Sequence, residues 1–211
     1  ITLLFVAGLS YKIVAGVLAL GVPTSIIGII LILKHALPLN EYQYKRIYSW
    51  LQPSKYADDA YQQQNSIMAI GSGQLWGKGL NNSSIASMKN GNFISEPQTD
   101  FIFAVVGEEL GFIGCVIVIV LLLLIVFECI LIAKNAKDLG GRLICCGMAA
   151  LIGFQSFINI CVTTGLMPNT GLPLPFVSYG LTSLMSLFIG LGLVLNVGLQ
   201  ARKYHGLGDI E

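Results

Sequence analysis

Four runs of the sequence are apolar at nearly every position: residues 13–33, 110–133, 143–166 and 181–199. A helix rises 1.5 Å per residue, and about 20 apolar residues cross a hydrocarbon layer of about 30 Å. Each run therefore predicts a transmembrane helix, and residues 1–9 read as the tail of another. Few polar side chains interrupt them. Glu128 lies near the end of the second run, and Gln155 and Asn159 lie inside the third. The two amides read as hydrogen-bonding glue between helices rather than as site residues.

The pattern changes between the first two runs. Tyr44, Ile47, Tyr48 and Leu51 recur at helical spacing. Asn40 with Gln43 approximates a capping box, Glu41 and Lys45 sit at i,i+4, and Pro53 ends the pattern. With Tyr42 and Trp50 added, the segment predicts a helix at the lipid–water boundary. An ordinary helix packed on its own domain has the same pattern.

Composition agrees with a membrane protein. Apolar residues make up 55% and charged residues 11% of 211 positions, and the mean hydropathy is +0.75. The net charge of +1 lacks the basic footprint of a nucleic-acid binder. All five cysteines fall in apolar stretches without metal-ligand spacing, and they read as small buried hydrophobes. His35 and His205 stand alone and read as boundary residues. The sequence opens without an initiator Met or a basic leader, and we expect it to be the C-terminal part of a longer protein.

Lys134, Lys137 and Arg142 crowd the loop "KNAKDLGGR", and Arg202 and Lys203 follow the last run; the loop "MPNTGLPLPFVSYG" has no Lys or Arg. The positive-inside rule then puts the C-terminus in the cytoplasm and the Pro-rich loop outside. The predicted fold is an all-α polytopic bundle. Residues 1–34 hold the end of one span and a full span. Residues 35–100 form a long extracytoplasmic loop with short interfacial helices. Residues 101–211 hold three spans, the outer loop 166–180 and a cytoplasmic tail. Residues 34–99 carry six Lys and Arg, but loops of that length escape the rule.

Two stretches hold candidate chemistry. "GSGQLWGKGLNNSS" is not a nucleotide-binding P-loop, because three residues separate Gly73 from Gly77 and Gly79 follows Lys78. Its glycines could bring backbone close to an anion, and a plain flexible loop fits equally. "EPQTDFIFAVVGEELG" carries Glu96, Asp100, Glu108 and Glu109 at the mouth of an apolar run. Ser95 and Gln98 suit a cap, which predicts one helix over about 96–133, roughly 55 Å long. Asp100 would stand in its first turn, outside the bilayer, with Glu108 and Glu109 at the water boundary or paired with cations of other helices. Glu96 most simply complements the helix dipole.

The runs "YKRIYSWLQP", "YQQQNSIMAIGSGQLWGKG", "EPQTDFIFAVVGEELGFIG" and "GLMPNTGLPLPFVSYGLTSL" resemble, in order, the SEDS proteins of the RodA, FtsW and SpoVE type. The resemblance implies the C-terminal half of a bacterial peptidoglycan polymerase of about ten helices. Such a glycosyltransferase joins lipid II into glycan strands at the outer face of the cytoplasmic membrane, beside a class B penicillin-binding protein, in cell-wall synthesis, cell shape or division. It assigns the catalytic carboxylate to the Asp of "TDFIF", here Asp100. The family's "PE-x-H-T-D-F" reads "SEPQTDF" here, and "SYGGSSL" reads "SYGLTSL".

A sugar leaving from a polyprenyl pyrophosphate needs a base for the acceptor 4-hydroxyl and positive charge for the diphosphate. Asp100 is the expected base and Lys78 a candidate phosphate contact. Glu96, Thr99, Ser178 and Tyr179 are further substrate-binding candidates, although Ser178 and Tyr179 suit turn formation as well. Hard oxygen ligands at Asp100 or Glu96 would suit Mg²⁺ or Mn²⁺. The Pro-rich loop is expected to line the site opposite Asp100. The alternatives are a lipid II flippase or transporter and a non-catalytic scaffold for a penicillin-binding protein. Spans without midplane charge argue against a carrier.

Overall fold

The computed structural model describes residues 41–80 and 99–208, with isolated positions before residue 41. The expected spans at 1–9 and 13–33, the caps at Asn40, Ser95 and Gln98, and Glu96 lie outside the described residues. Within them all regular structure is helical: α1 (Glu41–Leu51), α2 (Ala57–Ser72), α3 (Ile102–Asn135), α4 (Leu139–Thr163) and α5 (Leu181–Gly208). Among the described residues three segments are long and apolar enough to cross a membrane: Ile102–Asn135, Leu139–Thr163 and Leu181–Gln200.

α3 and α4 form the most extensive contact, and α5 packs on both. At one end of the bundle the core holds Phe103, Cys115, Ile152, Leu174 and Leu187. At the other it holds Cys129, Ala133, Cys145, Ala149 and Val194. All five cysteines are free thiols, four of them buried. The start of α3, the end of α4 and the Pro-rich loop share the first end. The turn carrying Lys137 lies at the second.

α1 stops at Leu51, just before Pro53, as its sequence predicts. α2 escapes hydrophobic periodicity because its buried stripe is small and polar: Ala60, Gln63, Ser66 and Ala69. The last carbonyls of a helix have no intrahelical partner, and this stripe serves those of α4. Gln63 Nε2 donates to the carbonyls of Val162 (2.8 Å) and Met167 (2.7 Å). Ser66 Oγ donates to that of Thr163 at 2.9 Å. Gln63→Leu removes both of these hydrogen bonds, so thermal or denaturant unfolding should show a loss of about 1–3 kcal/mol.

α3 departs from its prediction at both ends of the acidic stretch. It begins at Ile102 rather than near residue 96, because Phe101 takes φ −112° and ψ 20°. It is also broken at Gly111, with φ 67° and ψ −163°. The glycine-rich stretch after α2 fills this break and is no plain flexible loop. The amides of Phe112 and Ile113 donate to the carbonyls of Gln74 (2.8 Å) and Leu75 (3.3 Å). The amides of Lys78 and Gly79 donate to the carbonyls of Glu108 (2.9 Å) and Glu109 (3.0 Å). Interrupted helices survive at membrane depth only when the freed groups find partners. Here one loop supplies partners on both sides of the break.

Candidate active site

Asp100 lies in the turn that precedes α3 and not in the helix's first turn. Two anchors fix that turn. Phe101, 2% exposed, packs among Ala69, Ala104, Val105 and Val162. The Asp100 carbonyl accepts a hydrogen bond from Asn159 Nδ2 at 2.8 Å. The same amide donates to the Leu172 carbonyl at 2.6 Å, so Asn159 of α4 ties the Asp100 turn to the Pro-rich loop. One turn away, Gln155 Nε2 donates to the Pro173 carbonyl at 2.9 Å. The two amides join helix to loop rather than helix to helix, since the proline-rich backbone leaves carbonyls without regular partners.

The loop reaches the carboxylate at Gly171. Its φ is +70°, and a Cβ there would stand 3.5 Å from Asp100 Oδ2 and 4.0 Å from Arg46 Nη2. A carboxylate oxygen and a guanidinium nitrogen thus flank a single point on the loop. A side chain at Gly171 would strain the backbone and place its Cβ in contact with both. Arg46 Nη1 donates to the Asn169 carbonyl at 2.9 Å. Asn169 Oδ1 accepts from the Gly171 amide at 3.1 Å.

Arg46 was not among the residues the sequence singled out. The tyrosines dominate the periodicity of α1, and they stack together: Tyr44 on Tyr48 with ring centroids 6.4 Å apart, Tyr48 on Tyr56 at 5.7 Å. The contacts to the segment after α4 come instead from Arg46 and Trp50. Ser49 is buried, and Trp50 Nε1 donates to the Gly165 carbonyl at 2.8 Å. The one available signal was an arginine, one of only three in the sequence, four residues before a tryptophan.

The remaining candidates separate. Lys78 Nζ contacts Glu108 Oε1 at 2.9 Å, and Glu108 is 3% exposed. Glu108 lies roughly 9 Å along α3 from its start at Ile102, with Asp100 before that start, so the structure pairs Lys78 with Glu108 and not with the Asp100 carboxylate. Glu108 finds its cation within this chain, not on another helix. Lys78→Met leaves a buried carboxylate without its cation. Unfolding should then come about 2–3 kcal/mol easier, because the ion pair to a buried carboxylate is lost. Ser178 is buried, and its Oγ accepts from the Leu174 amide at 2.6 Å. It is a turn former, which removes it from direct reach of a substrate. Tyr179 is exposed, and Thr99 is half-buried next to Asp100.

Among the described residues no three His, Cys, Asp or Glu side chains gather as a metal site. Arg46 already places positive charge beside Asp100. Glu96, the other expected ligand of a Mg²⁺ or Mn²⁺ ion, lies outside the described residues, and no step below runs through a metal.

A model of the FtsW, RodA and SpoVE family, described as cell cycle protein, matches residues 1–203. Stage V sporulation protein E of Bacillus subtilis (strain 168) is 41% identical over 162 residues, covering 76% of this chain and 43% of that protein. The probable peptidoglycan glycosyltransferase FtsW of Haemophilus ducreyi is 37% identical over 207 residues, 95% of this chain and 49% of that one. A solved chain, from work on the coordination of polymerization and crosslinking by a peptidoglycan synthase complex, aligns with a TM-score of 0.65. It is 30% identical, with 95% of this chain and 52% of that one covered. The chain spans about half the length of the curated relatives it matches. With three helices of membrane-spanning length and a family match over nearly all its residues, this multi-pass membrane chain belongs to the FtsW/RodA/SpoVE family of cell cycle proteins.

Proposed function

We propose that the protein is a peptidoglycan glycosyltransferase that polymerises lipid II, with Asp100 as general base on the acceptor hydroxyl. The observation that carries this reading is the Asp100 carboxylate beside Arg46 at Gly171, in a turn fixed by Asn159 and Phe101. Relatives named peptidoglycan glycosyltransferases support the same chemistry.

In the proposed step the acceptor 4-hydroxyl gives its proton to Asp100 as its oxygen bonds to the donor's anomeric carbon. The bond from that carbon to the diphosphate oxygen breaks, and the diphosphate leaves with the electron pair. Asp100 then returns its proton to water. One carboxylate suffices because the leaving group is already a weak base. Thr99 and Tyr179 stay in the proposal as substrate contacts, and so does Glu96.

The Asp100 end of the bundle is opposite the turn with Lys137, so the positive-inside rule supports an extracytoplasmic site and a cytoplasmic C-terminus. The proposed site draws on the loop segment 35–100 and on the span segment 101–211 together. The likeness to a chain of a peptidoglycan synthase complex supports a penicillin-binding protein as partner.

The test uses the full-length protein with its partner in vesicles containing labelled lipid II. Formation of glycan polymer supports the reading. Movement of lipid II between leaflets without polymer would establish a carrier instead. Neither activity, with the partner bound normally, would establish a scaffold.

A further inference from the structure

We propose that Arg46 is the cation that receives the departing diphosphate, its guanidinium binding a polyprenyl diphosphate beside Asp100. The proposal rests on the reading of Asp100 above and adds the leaving-group half of the site.

Displacement at the anomeric carbon builds negative charge on the diphosphate oxygens, and a preorganised donor there lowers the barrier most. The lysine of the glycine-rich stretch does not serve, because it neutralises the buried Glu108 two helical turns away. Arg46 is placed where that charge develops. Its Nη2 and the Asp100 Oδ2 approach the same point above Gly171, so one substrate seated there would touch both.

Three features prepare the guanidinium for this role. A planar fork of five N–H donors matches phosphate oxygens in pairs, which an ammonium does not. One edge is oriented by the Asn169 carbonyl through Nη1, which sets the direction of Nη2. The helix beneath is pinned to the same loop by Trp50 through the Gly165 carbonyl, so little side-chain freedom remains to be lost on binding.

The experiment titrates the full-length protein in nanodiscs with polyprenyl diphosphate and, separately, polyprenyl monophosphate. Variants are Arg46→Gln, Arg46→Lys, Asp100→Asn and Lys45→Gln, the last removing an exposed charge from the same helix. Hydrogen bonds to charged groups contribute about 1.5–3 kcal/mol. Arg46→Gln should therefore weaken diphosphate binding about 10- to 100-fold, with a much smaller change for the monophosphate. Arg46→Lys should fall between, and Lys45→Gln should bind like wild type. The Lys variant retains the charge and carries the test if the Gln variant does not fold.

Wild-type diphosphate affinity in both Arg46 variants overturns the proposal, as does equal loss of monophosphate and diphosphate binding. Asp100→Asn separates the two readings. It should still bind diphosphate while making no polymer. Polymer from that variant would remove Asp100 as base and leave the Arg46 result standing on its own.

Discussion

Asp100→Asn should lower the rate of glycan polymerisation about 10²- to 10⁴-fold, the usual loss on removing a positioned general base. The substitution keeps the shape of the side chain and removes only its capacity to take a proton. It should leave the fold intact, because two anchors of the turn lie in the backbone and in the neighbouring ring. Asn159 holds the backbone carbonyl of residue 100, and Phe101 holds the neighbouring position in the core. The measurement is polymer formed from labelled lipid II by the full-length protein with its partner. Thermal unfolding of the same preparation serves as the control. Polymerisation near the wild-type rate, with an unchanged melting temperature, would eliminate the carboxylate as the base.

Gly111→Ala should be the most destabilising single change considered. Gly111 occupies a region of φ and ψ that is essentially restricted to glycine, and forcing another residue there costs about 1–3 kcal/mol. A Cβ would also collide with the Gly77 amide nitrogen and stand 2.7 Å from the Leu75 carbonyl. Relief requires the glycine-rich loop to move away, and that breaks the four hydrogen bonds that satisfy the interrupted helix. A total of about 4 kcal/mol or more follows, read as poor accumulation in membranes and a melting point lower by many degrees. Gly71→Ala is the matched control. Its Cβ would meet nothing within 4 Å, it lies inside α2, and alanine there should be neutral or stabilise by about 0.5–1 kcal/mol. Equal stability of the two variants would mean that the break in α3 is not held by its glycine.

The Gly111 break also shows why α3 was only half legible. A glycine within a long apolar run is compatible with an unbroken span, and nothing local marks it as the place where a distant loop inserts. The same loop read as either an anion cradle or a flexible connector, because its docking partners lie thirty or more positions away along the chain (Phe112 on Gln74, for example). α2 was missed for a related reason. Its buried face exists to satisfy the carbonyls of α4, so it is built from Gln63 and Ser66 rather than from large apolar side chains.

The sequence by itself determined the helical membrane class, the C-terminal end of α1 and the family resemblance centred on Asp100. Hydrocarbon leaves a backbone no partner but itself, so twenty apolar residues have one stable conformation wherever they occur. Tertiary structure alone decided the charge partners: Lys78 went to a buried glutamate, and Arg46 came to the carboxylate through a loop 123 residues away in sequence. Such pairings depend on how a broken helix, a polar-striped helix and a proline-rich loop pack at one end of the bundle. No local pattern of residues encodes that geometry.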